Sequence, residues 1–286
     1  AWLRNSVISR PLYAHLEQLG ADYDRIVMGP YLFGLTYFAS LIRPDRTLLV
    51  PCLHDEPFAR LQCFRRMFHS VHGIMFNAEP ERDMATRLGY QFARSWVVGI
   101  GLEPFDSDPL AFARQRGIGA PYLLFSGRRE PLKGTPLLID YIGAFRSRTG
   151  RDIKLVLTGS GAVEIPSDLR RHVIDAGFLS EEDKHAAMAG ALAFCHPSVN
   201  ESLGIVLLES WMAGTPALVH ARSAVLRHHC ETANAGLWFL TYPEFEEQLS
   251  LLMDRPGLRK AMGEAGKAYV LGNYTWPGVE PKLWSG

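Results

Sequence analysis

The chain lacks any long apolar run. Hydrophobic residues make up 47% of its 286 residues, yet no run reaches the roughly 18 residues that a membrane-spanning helix needs, and the N-terminus has no leader pattern of a charged region followed by an apolar one. A cytoplasmic chain without a span is the expectation. Net charge is absent too, because 30 Lys and Arg offset 30 Asp and Glu. No overall field draws in nucleic acid, and an anionic ligand has to be held by local cations. Cysteine is scarce. Cys52, Cys63, Cys195 and Cys230 show no C-x-x-C spacing and sit in apolar stretches; this excludes a disulfide framework and structural zinc and reads as reduced core thiols. Internal repeats and low-complexity segments are missing as well, which excludes a repeat architecture.

What is present is an alternation of short apolar runs with segments of helical period. Candidate strands are residues 25–28, 47–50, 73–77 and 96–98, separated by helical stretches near 32–42, 57–70 and 80–88. A second series runs through residues 122–125, 154–157, 172–175, 191–195, 216–219 and 236–239. Strands that alternate with helices pair in parallel, so the fold class is α/β with two doubly wound sheets. Between the series, residues 99–121 are rich in Gly and Pro without a period and read as a linker. The length suits two domains of about 100 to 200 residues. The first, residues 1–105, shows only four strands and opens directly into a helix over residues 5–19; one or two βα units missing at its start is the expectation. Residues 106–272 form the second domain, and residues 273–286 a tail.

The most informative stretch is HPSVNESLGIVLLESWMAGTP, residues 196–216. A loop after a strand reaches Glu201. Leu203 and Gly204 then open a helix that Gly214 ends and Pro216 cannot continue. The helix N-terminus therefore faces the carboxyl edge of the sheet, where open α/β sheets bind ligands and unpaired N–H groups favour phosphate. Gly204 lets a phosphate approach the backbone, and Glu209, about a turn and a half along, has two oxygens for vicinal ribose hydroxyls. Glu201 is in the loop, placed for sugar hydroxyls and for positive charge developing at an anomeric carbon. Two glutamates eight apart arise by chance about once in a chain this rich in Glu. The Pro-Ser before the pair, the Gly within it and the Ala-Gly-Thr-Pro after it make the compound pattern far rarer.

These residues resemble the E-x7-E signature of the family-4 retaining glycosyltransferases, glycosyl transferases group 1, which use the GT-B fold of two Rossmann-like domains. The resemblance extends over residues 120–276. LLFSGRREPLKGTPLLIDYI, residues 123–142, is similar to the family's G-R-x4-K-G segment, KLVLTGSG, residues 154–161, to its next strand and turn, and AGFLSEEDKHAAMAGALAFCHPS, residues 176–198, to the loop under the base and the strand that follows. The resemblance implies that Arg128 and Lys133 hold the donor diphosphate, Glu209 the ribose and Glu201 the transferred sugar. It also implies that Gly127, Leu179, Ser202, Leu203, Gly204 and Ile205 line the donor site. Apart from the family, Arg128 and Lys133 follow a buried strand at its carboxyl end and put two cations where a leaving diphosphate would sit. Isolated basic loop residues are usually only solvated; these two converge on a separately inferred helix N-terminus. Arg129 is read as pointing away.

In the first half, VPCLHDEPF, residues 50–58, resembles the family's strand followed by His-Asp, which implies that His54 faces the donor sugar. A lone His after a strand is more often structural, and Asp55 reads as the cap of the next helix. That helix, FARLQCFRRMF, residues 58–68, mixes Arg with Phe, Leu and Met. An ordinary core-facing helix explains it, and peripheral contact with an anionic membrane carrying a lipid acceptor is the other reading. NYTWPGVEPKLW, residues 273–284, resembles the family's Tyr-Ser/Thr-Trp segment, with Trp276 and Trp284 expected to be buried against the first domain's sheet.

Rival motifs are weaker. TGSG has Glu164 where a dinucleotide loop needs its third Gly, and the D-x-D pairs Asp22/Asp24 and Asp106/Asp108 do not end a strand. The expected function is metal-independent, retaining transfer of a hexose from a nucleoside-diphosphate sugar to a sugar or lipid-linked acceptor. No cofactor, metal or nucleic acid takes part. A non-catalytic sugar-nucleotide or glycan-binding fragment and a GT-B epimerase are the alternatives.

Overall fold

The computed structural model describes residues 2–284 and divides the chain into two compact units. The first comprises the residues up to Gly101 together with the segment from Trp276; the second is Leu102–Thr275.

In the first unit β1 (Ile26–Met28), β2 (Thr47–Leu49), β3 (Gly73–Phe76) and β4 (Ser95–Val97) form a parallel sheet in sequence order. β3, buried at all four positions, carries the unbroken apolar run of a strand covered on both faces. The core joins Leu49, Phe64, Met67, Phe68, Ile74 and Phe76. The expected helix over residues 5–19 is two pieces, Trp2–Asn5 and Arg10–Leu19, because Ser9 caps the second and a Pro occupies its first turn. The segment 57–70 also splits, into a 3-10 turn Pro57–Arg60 and the helix Gln62–Ser70. That helix faces the core with Phe64, Met67 and Phe68, while Phe58 and Leu61 stay exposed.

The helix Trp276–Trp284 packs on this sheet through Val279, which joins Met75 and Val98, with Leu283 alongside. The tryptophans are not buried as expected: Trp276 is 48% and Trp284 80% exposed. The helix presents its Val279 side to the sheet, and the Trp276 ring lies flat on Gly101, where a Cβ would come within 2.5 Å.

The second unit is a six-stranded parallel sheet: β5 (Tyr122–Ser126), β6 (Lys154–Thr158), β7 (Val173–Gly177), β8 (Ala193–His196), β9 (Ala217–His220) and β10 (Gly236–Phe239), in the order β10-β9-β8-β5-β6-β7. Alternate side chains enter two apolar layers. Leu124, Val156, Phe194 and Val219 meet the helices Glu181–Ala189 and Ile205–Met212 on one face. Leu123, Phe125, Leu155 and Leu218 meet Thr135–Thr149 and Tyr242–Asp254 on the other. The chain runs outward from β5 to β7 and returns to the other side of β5 at β8, so the strand order reverses between β5 and β8. At such a switch point neighbouring loops diverge and leave a crevice beyond the carboxyl ends.

Two further expectations are corrected. Residues 99–121 contain a helix, Ala111–Arg116, which ends at Gly117 in the left-handed region and buries only Phe112, too little to show a period. Only Cys195 and Cys230 are core thiols, since Cys52 and Cys63 are half-buried. Among the described residues no helix is long and apolar enough to cross a membrane.

Candidate functional site

The loops after β5 and β8 meet at the switch point, and glycines let them. The β5 loop passes through Gly127 (φ 150°) into the 3-10 turn Pro131–Lys133, which closes at Gly134 in the left-handed region. A Cβ on Gly134 would come within 2.9 Å of Pro197, so the residue after Lys133 must be bare for the turn to lie on the start of the β8 loop. The TGSG turn has the same use: a Cβ on Gly159 would sit 2.0 Å from the Gly127 carbonyl oxygen. Gly127 and Arg129 donate their backbone N–H groups to Thr158 and Ser160, so the turn buttresses the β5 loop.

This packing delivers Lys133 to Glu201, with Nζ 2.6 Å from Oε1 and side chains 21% and 13% exposed. His196, the last residue of β8, brings Nε2 to the same oxygen at 3.0 Å. Burial pushes the Glu201 carboxyl up, but the hydrogen bonds and charges of His196 and Lys133 outweigh it and hold the group well below its ordinary 4.5. It is therefore a carboxylate at neutral pH.

The helix Ile205–Met212 starts one turn further on, from Gly204 in the left-handed region. No side chain caps its first N–H groups, and Ile205 is 41% exposed, so its positive end is open. Ser202 is half-buried and Leu203 buried behind it. Glu209 lies on this helix, 17% exposed, and accepts from Lys184 at 3.0 Å. Burial raises its pKa against the pull of Lys184. Lys184 would be lowered by burial, but Glu181 and Glu209 outweigh this and keep it a cation.

Arg128 is exposed, 3.4 Å from Glu130, so its guanidinium can reach an incoming anion. Arg129 is a different kind of residue: only 9% exposed, it is paired with Asp175 beside the carboxyl end of β7. Leu179 is buried, and Phe178 next to it is 84% exposed. His54 belongs to the first unit, five residues beyond β2, and is half-buried. Asp55 does not cap the turn that follows, whose N-cap position is Glu56, and instead pairs with Arg60 at 2.8 Å. The fully buried Glu81 accepts from the Leu53 N–H and the Asn77 N–H, each at 2.6 Å, tying the loops after β2 and β3 together. Asp108 accepts from the Leu110 N–H and pairs with Arg114.

Lys133, Glu201, Gly204 and Glu209 thus share one edge of the second unit, with Arg128 exposed beside them. Sequence reasoning missed Lys184 and His196. The only cue to His196 was a polar residue closing an apolar strand, and nothing in the sequence singles out Lys184, which pairs with Glu181 as well as with Glu209. A neighbouring cavity of about 550 Å³ is lined by Arg129, Glu130, Thr135 and Ile139 but by none of Lys133, Glu201 or Glu209. It is a separate hollow.

The chain is similar to known proteins in sequence and in fold. The chain is 29% identical over 244 residues to a D-inositol 3-phosphate glycosyltransferase of Kribbella flavida, covering 76% of this chain and 56% of that one. It is 30% identical over 176 residues to a phosphatidyl-myo-inositol mannosyltransferase of Mycobacterium leprae, covering 58% and 46%. The chain spans about half the length of the curated relatives it matches. Among solved structures, Anabaena HepE in complex with UDP and glucose superposes with a TM-score of 0.78 at 17% identity, over 96% of this chain and 80% of that one. A sucrose-phosphate synthase from Thermosynechococcus elongatus gives 0.77 at 16% identity, over 98% and 79%. The fold is GT-B. The profile of the glycosyl transferases group 1 matches residues 111–269, more than half of the chain, and the chain belongs to that family.

Proposed function

We propose that the chain is a retaining hexosyltransferase that moves a hexose from a nucleoside-diphosphate sugar to a hydroxyl acceptor without a divalent metal. Arg128, Lys133 and the first N–H groups of the helix Ile205–Met212 hold the diphosphate. Glu209 takes the ribose, with Leu179 under the base. Glu201 takes the hydroxyls of the transferred sugar. The bond from the anomeric carbon to the β-phosphate oxygen breaks, and the acceptor oxygen bonds to that carbon on the same face. The acceptor's proton passes to the departing phosphate. His54 is the residue of the first unit assigned to this chemistry.

The observation that carries the reading is the Lys133–Glu201 contact of 2.6 Å at the switch point, beside an uncapped helix N-terminus. Cations and backbone dipoles fixed in advance where negative charge develops are the largest catalytic term for a leaving anion, and here they supply the charge that a metal provides in other sites. Relatives named for inositol phosphate and phosphatidylinositol support a polyol or lipid-linked acceptor. Exposed Phe58 and Leu61 beside Arg60 suit contact with the inner membrane surface that a lipid-linked acceptor requires.

The test is a panel of UDP-, GDP- and ADP-sugars with inositol and lipid-linked acceptors in EDTA, followed by NMR of the product's anomeric configuration. Retention in EDTA is the expected result. Inversion, or turnover that needs added metal, contradicts it.

A further inference from the structure

One polar group at the switch point has no part in the donor reading. His196 is 4% exposed and its ring lies near-parallel to Phe125 and Phe194, with centroids 6.1 and 5.6 Å away. Its Nδ1 is buried without a partner among the described residues. An apolar side chain would fill this place without leaving a ring nitrogen unsatisfied. What the imidazole gains is Glu201: a carboxylate only accepts, so Nε2 carries the proton and donates to Oε1 at 3.0 Å.

Lys133 reaches that same oxygen at 2.6 Å. The two donors differ in how firmly they are held. Lys133 is a long side chain on a short turn, and in the donor reading it has to serve the diphosphate. His196 rises from a strand paired on both sides, with its own Cα in register with Val219. We propose that His196 is the positioning residue for Glu201. It fixes Oε1 from the core side, keeps the carboxylate in place when Lys133 is drawn to the diphosphate, and leaves Oε2 for the transferred sugar. This rests on the assignment of Glu201 to that sugar.

The test compares His196→Leu, which fills the space without a donor, with His196→Gln, whose amide can donate from a similar reach. Calorimetry measures UDP, GDP and ADP, then UDP-glucose, GDP-mannose and ADP-glucose, against the whole chain. The quantity read is the affinity for a sugar nucleotide relative to its own nucleoside diphosphate. In His196→Leu the nucleoside diphosphate should bind within about twofold of wild type while the ratio falls about tenfold, the size of one charge-assisted hydrogen bond. His196→Gln should recover most of it. An unchanged ratio in His196→Leu overturns the proposal. So does an equal loss for both ligand classes that Gln does not recover, since that marks a packing role only. If wild type binds no nucleoside diphosphate, the donor reading itself has failed; if it binds and the ratio ignores His196, only this inference has.

Discussion

Glu81 is a buried carboxylate and Glu201 a half-buried one, each at the carboxyl edge of its sheet, and they are kept in opposite ways. Glu201 faces Lys133 and His196 and is held well below the ordinary carboxylate range. Glu81 is wholly buried and held by backbone N–H groups, and burial pushes it from 4.5 to about 7 despite those hydrogen bonds. In the proposed site a carboxylate that keeps its negative charge is set against a lysine and a ring N–H donor. A clamp that only has to tie two loops together can tolerate a proton.

The largest expected effect breaks the first of these settings. Lys133→Ala removes the cation that pairs with Glu201 and that we propose holds the diphosphate, and turnover should fall by about 10² to 10³, as for loss of one oxyanion donor, with a smaller loss in donor affinity. Steady-state kinetics with circular dichroism as the folding control measures it; an unchanged rate in a folded variant removes Lys133 from the chemistry.

The second concerns pH. Glu81's folded pKa lies above its unfolded one, so its contribution to stability is fully present below 4.5 and is lost as pH rises through about 7. Across that range the change in stability is roughly 3 kcal/mol. Glu201 has the opposite sign: its contribution is present above 4.5 and lost as pH falls toward its depressed folded value. Urea unfolding at pH 5 and pH 8 should therefore show Glu81→Gln much less stable than wild type at pH 5, with the gap narrowing by pH 8. A gap that does not change with pH contradicts the titration of Glu81.

The sequence carried the fold well because parallel strands covered on both faces are written as unbroken apolar runs, such as Leu123 to Phe125 and Ala217 to Val219. The loop glycines were legible as turns, but not their reason. That Gly134 must be bare to lie on Pro197, and Gly159 to lie on Gly127, is a fact about chain segments distant in sequence. Lys184 and His196 were missed on the same ground, since each is defined by a partner that only packing brings near. Trp276 and Trp284 failed differently. Their size argued for burial, but a nine-residue helix has one inward stripe and Val279 occupies it.

Within the second unit Glu209 is half-buried as well, but it shares Lys184 with Glu181. Glu209→Gln should weaken nucleoside diphosphate binding by about 1 to 3 kcal/mol, the loss of a charge-assisted contact to ribose hydroxyls. It should leave the preference for a sugar nucleotide over its diphosphate unchanged, whereas Glu201→Gln should reduce that preference.

The central claim is that local cations and a helix N-terminus, without a metal, hold a nucleoside diphosphate at the β5–β8 switch point. Calorimetric titration of UDP, GDP and ADP in EDTA, into wild type and into the double variant Arg128→Ala, Lys133→Ala, tests it most directly. One nucleotide should bind wild type as well in EDTA as with magnesium, and the double variant should lose at least tenfold in affinity, about 1.4 kcal/mol. Binding that appears only with magnesium, or that is the same in both proteins, would contradict the account.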